Sequence, residues 1–158
     1  MKPSQWFEIR AMEKADVPEA IELVSKTISP EDAEFAKFIF TSHFQAGGKP
    51  LGRGEFYVAT FSGRVVGVSG FYRRENSYWL GWYAVRSECQ GLGVGSALLE
   101  RVEKAVMAKG ARELSVCTSS LPKFKKTREF YKRKGFEEVG EVDHPRWEED
   151  VVFLRKRL

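Results

Sequence analysis

Seven residues near the middle of the chain, Gln90-Gly91-Leu92-Gly93-Val94-Gly95-Ser96, carry the clearest chemical signal. They stand between a strand-like run ending at Val85 and a segment whose Val94, Ala97, Leu98, Val102, Ala105 and Val106 recur at helical spacing. Glycines at such a junction let the backbone turn tightly and aim several N–H groups at one point. That point lies on the positive end of the helix, which suits a pyrophosphate. The spacing differs from a dinucleotide fold, whose third glycine would fall at Ser96 and whose ribose-binding acid is replaced by Thr118-Ser119-Ser120. No Gly-Lys-Ser/Thr follows, so a Walker loop is excluded. Glycines needed only for a turn are the plainest alternative.

Other chemistry is thinly represented. Cys89, Cys117, His43 and His144 are too widely spread for a metal-ligand spacing, so no metal is expected and both cysteines read as reduced and structural. A hydrolase built on Cys117 has no local signature to support it. The 26 basic and 22 acidic residues give a net charge of +4. The excess is one patch, because Lys123 to Lys134 holds seven basic residues and one acidic, leaving the rest slightly acidic. Such a run is either a solvated helix face or an anion site for a phosphorylated cofactor or a nucleic acid backbone.

The elements that must position these groups follow from periodicity and punctuation. A strand is expected from Trp6 to Met12. Asp16-Val17-Pro18-Glu19 has the form of a capping box for a helix ending near Thr27. Ser29-Pro30-Glu31-Asp32 starts a second helix, with an expected apolar face through Phe35, Phe38, Ile39 and Phe44, stopped by Gly47-Gly48. Between Glu55 and Val85, polar turns at Ser62-Gly63 and Glu75-Asn76-Ser77 separate three β-rich runs, an antiparallel meander. The glycine loop, a helix closed by Gly110 and a strand at Leu114 to Thr118 complete a βαβ unit. A basic helix to Lys134, closed by Gly135, precedes final strands at Phe136 to Val142 and Asp150 to Leu154. The order β-α-α-β-β-β-α-β-α-β-β is an α+β domain with a mixed, mostly antiparallel sheet and four helices, one domain over residues 1–158.

Gln90, Gly93 and Gly95 satisfy the pattern Q/R-x-x-G-x-G/A, and Phe130-Tyr131-Lys132-Arg133-Lys134-Gly135-Phe136 forms F-Y-x-x-x-G-F leading into a strand. With both motifs in order, separated by one strand, the chain resembles the GCN5-related N-acetyltransferases (GNAT) over nearly its whole length. The resemblance implies a fold of that type and acetyl-CoA as acyl donor. It implies that Gln90, Gly91, Leu92, Gly93, Val94, Gly95 and Ser96 wrap the pyrophosphate. The strand end Tyr83-Ala84-Val85 would pair with the pantetheine arm, and Tyr131 would act as general acid for the departing thiolate. Lys123, Lys125, Lys126 or Arg128 would then screen the 3′-phosphate. This chain departs from the family at Ser87, where proline is frequent, and lacks an asparagine before the F-Y pair. It also has no glutamate in Tyr78 to Val85 to serve as general base, leaving a water chain, a backbone carbonyl, Glu75 or Glu55.

The expected activity is transfer of acetyl from acetyl-CoA to a primary amine of a small molecule or protein. The alternative is a noncatalytic acyl-CoA-binding or sensor domain. By resemblance, the acceptor site is bordered by the first two helices, rich in Phe35, Phe38, Phe40 and Phe44, and by the stretch from Asp143 to Asp150. Glu31, Asp32 and Glu34 suit either a cationic amine or the helix dipole. Nucleic acid binding has one basic cluster in its favour and no second. Exposed strand edges make a homodimer an expectation from resemblance alone. No run approaches the ~20 apolar residues of a membrane span, and Met1 to Glu8 lacks a signal-peptide pattern, so a cytoplasmic location is expected.

Overall fold

A computed structural model describes residues 6–44, 54–140 and 150–158. β1 (Glu8–Ala11) passes through a short 3-10 turn into α1 (Val17–Thr27) and α2 (Pro30–His43). The meander follows as β2 (Glu55–Phe61), β3 (Arg64–Arg74) and β4 (Ser77–Val85). Then come α3 (Val94–Ala108), β5 (Glu113–Ser119), α4 (Lys125–Arg133), β6 (Glu137–Val139) and β7 (Val151–Arg157). This is the order read from the sequence. The strands form one sheet in the spatial order β1-β2-β3-β4-β5-β7-β6, in which β4 and β5 are parallel and the other pairs antiparallel.

The sheet separates two apolar layers. On one face α1 and α2 bury Ala20, Val24, Ala36 and Phe40 against Phe56, Val58 and Val68. On the other, α3 and α4 bury Val94, Leu98, Val102 and Tyr131 against Tyr57, Phe71, Leu80 and Val116. Each fully buried Val or Leu in these layers contributes roughly 1.5–3 kcal/mol of hydrophobic stabilisation. α3 lies close to the sheet because Gly67 has no side chain: a Cβ there would stand 2.9 Å from both Val94 Cγ1 and Leu98 Cδ1.

Several local expectations change in three dimensions. Ser29 caps α2 as expected, its hydroxyl accepting from the Asp32 N–H at 3.0 Å. The buried face of α2, however, is Ala33, Ala36, Ile39 and Phe40, while Phe35 and Phe38 are 45% and 61% exposed. Small residues win the inner face because α2 must pack against α1 as well as the sheet. The capping box at Asp16 and Glu19 does not form. Glu19 accepts instead from the Val65 N–H at 3.1 Å, and Asp16 closes the preceding turn by accepting from the Glu13 N–H at 2.7 Å. β7 is longer than expected and runs through Arg155, Lys156 and Arg157, paired to β5 along its whole length. Lys156 bonds Glu103 at 2.8 Å, so charge on this strand does not interrupt pairing. The expected stop at Gly47-Gly48 and the stretch 141–149 lie outside the described residues.

Asp16 anchors the start of α1 to β1. Its carboxylate accepts from both terminal nitrogens of Arg10, at 2.7 and 2.9 Å, and is buried. The Arg10 hydrogen bonds hold the Asp16 carboxyl below its usual range despite the opposing effect of burial. A depressed carboxylate contributes stability that is complete above its unfolded pKa of ~3.9 and is lost as pH falls through the folded value. Asp16→Asn should therefore lower stability by about 1–3 kcal/mol at pH 7, with the deficit shrinking below about pH 4. Urea titrations of both proteins at pH 7 and pH 3 check this.

Candidate functional site

The site begins where two strands part. Among the described residues β4 and β5 share one registered pair, Trp79 with Ser115, although both strands continue for several residues toward their C-terminal ends. Beyond that pair β5 stays with β7, and β4 stays with β3. A bulge accompanies the parting: between the pairs Gly70–Gly81 and Val68–Ala84, the single residue Ser69 opposes Trp82 and Tyr83. Trp82 takes φ +44°, a left-handed conformation that a bulky residue adopts only when its surroundings hold it there. Those surroundings are Phe35, Phe40 and Phe56, with ring centroids 5.5, 5.8 and 6.3 Å from the indole.

At the end of β4 the chain turns through Gln90–Gly93 into α3. Gly91 and Gly93 have φ +78° and +93°, and a Cβ at either would meet open space, so their backbone shape and not packing demands glycine. Gln90 ties the loop to the strand, its side-chain amide donating to the Val85 carbonyl at 3.0 Å. Arg86 braces the same strand end by donating to the Val65 carbonyl at 3.0 Å. The Trp6 indole N–H reaches the Leu92 carbonyl at 3.4 Å. The first helical bond of α3 runs from the Ala97 N–H to the Gly93 carbonyl, so the amides of Val94, Gly95 and Ser96 precede the ladder. Among the described residues no side chain caps this end, and its first turn carries no acid. The positive pole of α3 is thus left open to an anion.

Beneath the loop, four rings form the floor. Tyr83 stacks on Phe130 of α4 at 5.5 Å and lies 5.8 Å from Tyr131, which in turn packs on Phe136 at 5.4 Å. Tyr131 is 3% exposed. Burial pushes its phenol well above the ordinary range, and the Cys117 thiol on β5 adds to the rise. Burial raises Tyr83 as well, with Tyr131 the second cause. The Tyr83 hydroxyl is buried without a hydrogen-bond partner among the described residues. A Cβ at Gly95 would overlap that hydroxyl, whereas it would stand 3.4 Å from Tyr83 Cζ and 3.7 Å from Phe130 Cζ. Gly95 is therefore excluded from larger residues for a different reason than Gly91 and Gly93.

The structure brings together Tyr83, Ala84, Val85, the loop from Gln90 to Ser96 and the α4 helix carrying Tyr131. One terminal nitrogen of the Arg128 guanidinium donates to the Ser119 and Leu121 carbonyls at 2.7 and 2.9 Å and fixes the β5–α4 connection. Lys123, Lys125 and Lys126 are exposed, with Lys125 4.0 Å from Glu129. Neither acid raised as a general base reaches the gap. Glu55 lies on β2, separated from β4 by β3, and accepts from the Tyr57 hydroxyl; Glu75 sits in the β3–β4 turn, at the other end of β4. A cavity of about 330 Å³ lined by Arg73, Tyr78, Lys109 and Arg112 also lies at that far end and shares no residue with the loop. Sequence reasoning missed the brace from Trp6 and the packing of the Tyr83 side chain against Gly95, since neither shows in local spacing.

The sequence profile of the acetyltransferase (GNAT) domain matches residues 52–138, more than half of the chain. The chain belongs to the GNAT family, and it is an acyltransferase domain. Its fold is similar to that of a protein from Desulfovibrio desulfuricans assigned to the GNAT acetyltransferases, with 26% identity and a TM-score of 0.81 over 96% of this chain and 98% of that one. A GNAT acetyltransferase from Elizabethkingia anophelis, solved with acetyl-CoA bound, shares 20% identity and a TM-score of 0.72, covering 98% and 100%. The PaiA N-acetyltransferase from Thermoplasma acidophilum, solved in complex with coenzyme A, shares 18% identity and a TM-score of 0.75, covering 96% and 99%. Among the described residues of this GNAT domain no helix is long and apolar enough to cross a membrane.

The contact between Gly95 and Tyr83 yields a paired test. Gly95→Ala should destabilise by about 1–3 kcal/mol through overpacking, although alanine is the better helix former. In a Tyr83→Phe background the overlapping oxygen is gone and the remaining 3.4 Å approach is ordinary contact. The cost of Gly95→Ala should then shrink, giving a coupling of about 1–2 kcal/mol in a double-mutant cycle measured by chemical unfolding.

Proposed function

We propose that this domain transfers the acetyl group of acetyl-CoA directly to a primary amine of a small molecule or protein, within one ternary complex. The observation that carries the reading is the parting of β4 from β5 beside an uncapped α3 N-terminus. The residues present fit an acyl-CoA. Three amides ahead of the helical ladder and two left-handed glycines offer a cradle for the diphosphate, formed by Gln90, Gly91, Leu92, Gly93, Val94, Gly95 and Ser96. The edge of Tyr83, Ala84 and Val85 that faces away from β3 offers backbone groups to the amides of the pantetheine arm. Exposed Lys123, Lys125 and Lys126, with the partly exposed Arg128, supply positive charge for the 3′-phosphate.

Bound acetyl-CoA supplies a thioester: the amine nitrogen bonds to its carbonyl carbon and sheds one proton to water, the C–S bond breaks, and the departing thiolate gains one proton. Tyr131 is suited to give it. Burial pushes its phenol above the ordinary value near ~10, which keeps the proton in place at neutral pH and makes the phenol a weaker acid, so donation depends on the thiolate forming within hydrogen-bond reach. Water exclusion around the ring also strengthens any hydrogen bond the phenol makes.

Calorimetric titration with acetyl-CoA, 3′-dephospho-CoA and NAD tests the donor site. Acetyl-CoA should bind, 3′-dephospho-CoA more weakly, and NAD not at all. Tyr131→Phe should leave acetyl-CoA affinity within about twofold while lowering kcat by about 10²-fold or more, the scale of a lost general acid. Thiol release across a panel of amines measures both. Absence of acetyl-CoA binding would return the glycines to a purely structural turn, and unchanged turnover in the variant would remove Tyr131 from its role.

A further inference from the structure

We propose that the cavity at the closed end of the β4–β5 gap binds a small oxyanion carrying two or more negative charges, a phosphate ester or a polycarboxylate. The site shares no residue with the glycine loop or the α3 N-terminus, and it stands or falls independently of the acetyl-CoA reading.

The cavity, about 330 Å³ in volume, lies where the β3–β4 turn meets the connection from α3 to β5. Arg73 and Tyr78 line it from the ends of β3 and β4, and Lys109, Arg112 and Glu113 line it from the α3–β5 side. The lining thus carries three cations and one carboxylate. That carboxylate is already engaged, since Glu113 stands 3.3 Å from the Arg155 guanidinium. The cations are not. Among the described residues Lys109 and Arg112 make no side-chain hydrogen bond or ion pair, and Arg73 uses only its Nε, which donates to the Glu75 carbonyl at 2.9 Å. Like charges around one hollow repel each other, and a bound anion removes that repulsion.

Ordinary surface roles do not account for the set. A cation just past the end of a helix favours its negative pole, which would explain Lys109 alone. Even there the last carbonyls of α3 are occupied, that of Val106 by the Lys109 and Ala111 amides and that of Met107 by the Gly110 amide. Arg112 lies beyond that turn, and Arg73 belongs to another strand. The Arg73 guanidinium is held by the Glu75 carbonyl and by the Tyr78 ring, 5.8 Å from its centroid, so its two terminal nitrogens are a positioned pair of donors. Such a pair matches two oxygens of a phosphate or carboxylate. Ser115, which pairs with Trp79 where β4 and β5 register, forms part of the same wall. An anion held by Arg73 and Arg112 therefore ties β3 to the start of β5 and stabilises the fold by mass action.

Thermal unfolding is followed against rising pyrophosphate, rising citrate and sodium chloride of matched ionic strength, together with calorimetric titration of each polyanion. Wild type is compared with Lys109→Gln/Arg112→Gln and with Lys125→Gln/Lys126→Gln, pairs whose exposed side chains the fold does not require. The unfolding temperature of wild type should climb with at least one polyanion beyond the chloride control. The cavity variant should bind that anion about tenfold or more weakly, and the α4 variant within about twofold of wild type. A response to pyrophosphate alone marks a phosphate ligand, to citrate alone a polycarboxylate, and to both an oxyanion chosen by charge; each supports the site. A wild type that gains no more from either polyanion than from chloride would overturn the proposal. So would unchanged affinity in the cavity variant, or a loss confined to the α4 variant, which would move the anion to the basic helix.

Discussion

Two parallel strands that register once, at Trp79 and Ser115, and then separate create the condition on which every other part of the site depends. A sheet interior normally leaves no backbone group unpaired, and an open strand edge invites pairing with whatever extended chain arrives. Here the opening is made within the sheet by a bulge in β4, so that one edge of Tyr83–Val85 is held by β3 and the other faces the gap. The cost is a left-handed tryptophan, on the order of 1–3 kcal/mol. Phe35, Phe40 and Phe56 around the indole supply the apolar contact that offsets it.

The same strand must also deliver the chain into a helix whose N-terminus looks back at the gap. Four bonds fix that junction from outside the loop: Gln90 to Val85, Arg86 to Val65, the Arg86 N–H to Val66, and Trp6 to Leu92. Gly67 fixes it from below, since only a bare Cα lets Val94 and Leu98 descend onto β3. The glycines of this region therefore answer to separate physical demands. Gly91 and Gly93 supply backbone angles, Gly67 supplies room for a helix, and Gly95 yields its space to a hydroxyl.

Much of this frame was legible in the sequence because its signals are local. The meander announced itself through alternation and polar turns, α2 through Ser29 and Pro30, and the loop through its glycine spacing between a strand and a helical period. What was misread depended on contacts distant in sequence. Phe35 and Phe38 outrank Ala33 and Ala36 in hydrophobicity, yet the alanines face inward because a neighbouring helix needs the room. Asp16 looked like the cap of the helix that follows it, and it serves the turn before it, drawn there by Arg10 on β1. In the site, spacing marked the loop and the F-Y pair. Nothing local showed what Tyr83 packs on, since Gly95 is separated from it by a loop and Phe130 by that loop, α3 and β5. Glu55 and Glu75 passed as candidate bases for the converse reason, because a sequence does not show that β3 or the length of β4 intervenes.

Trp82 and Tyr83, adjacent in the chain, face opposite sides of the sheet: the indole packs against α2, and the phenol lies under α3 and α4. The bulge that sets one sets the other, because both residues oppose the single Ser69. The backbone on which the donor would lie is thus held in shape by an aromatic cluster on the other layer, the side where Phe35 and Phe38 remain exposed. The two apolar layers of the sheet thus meet at a single strained residue, and its close packing ties the shape of the strand edge to the aromatic cluster on the opposite face.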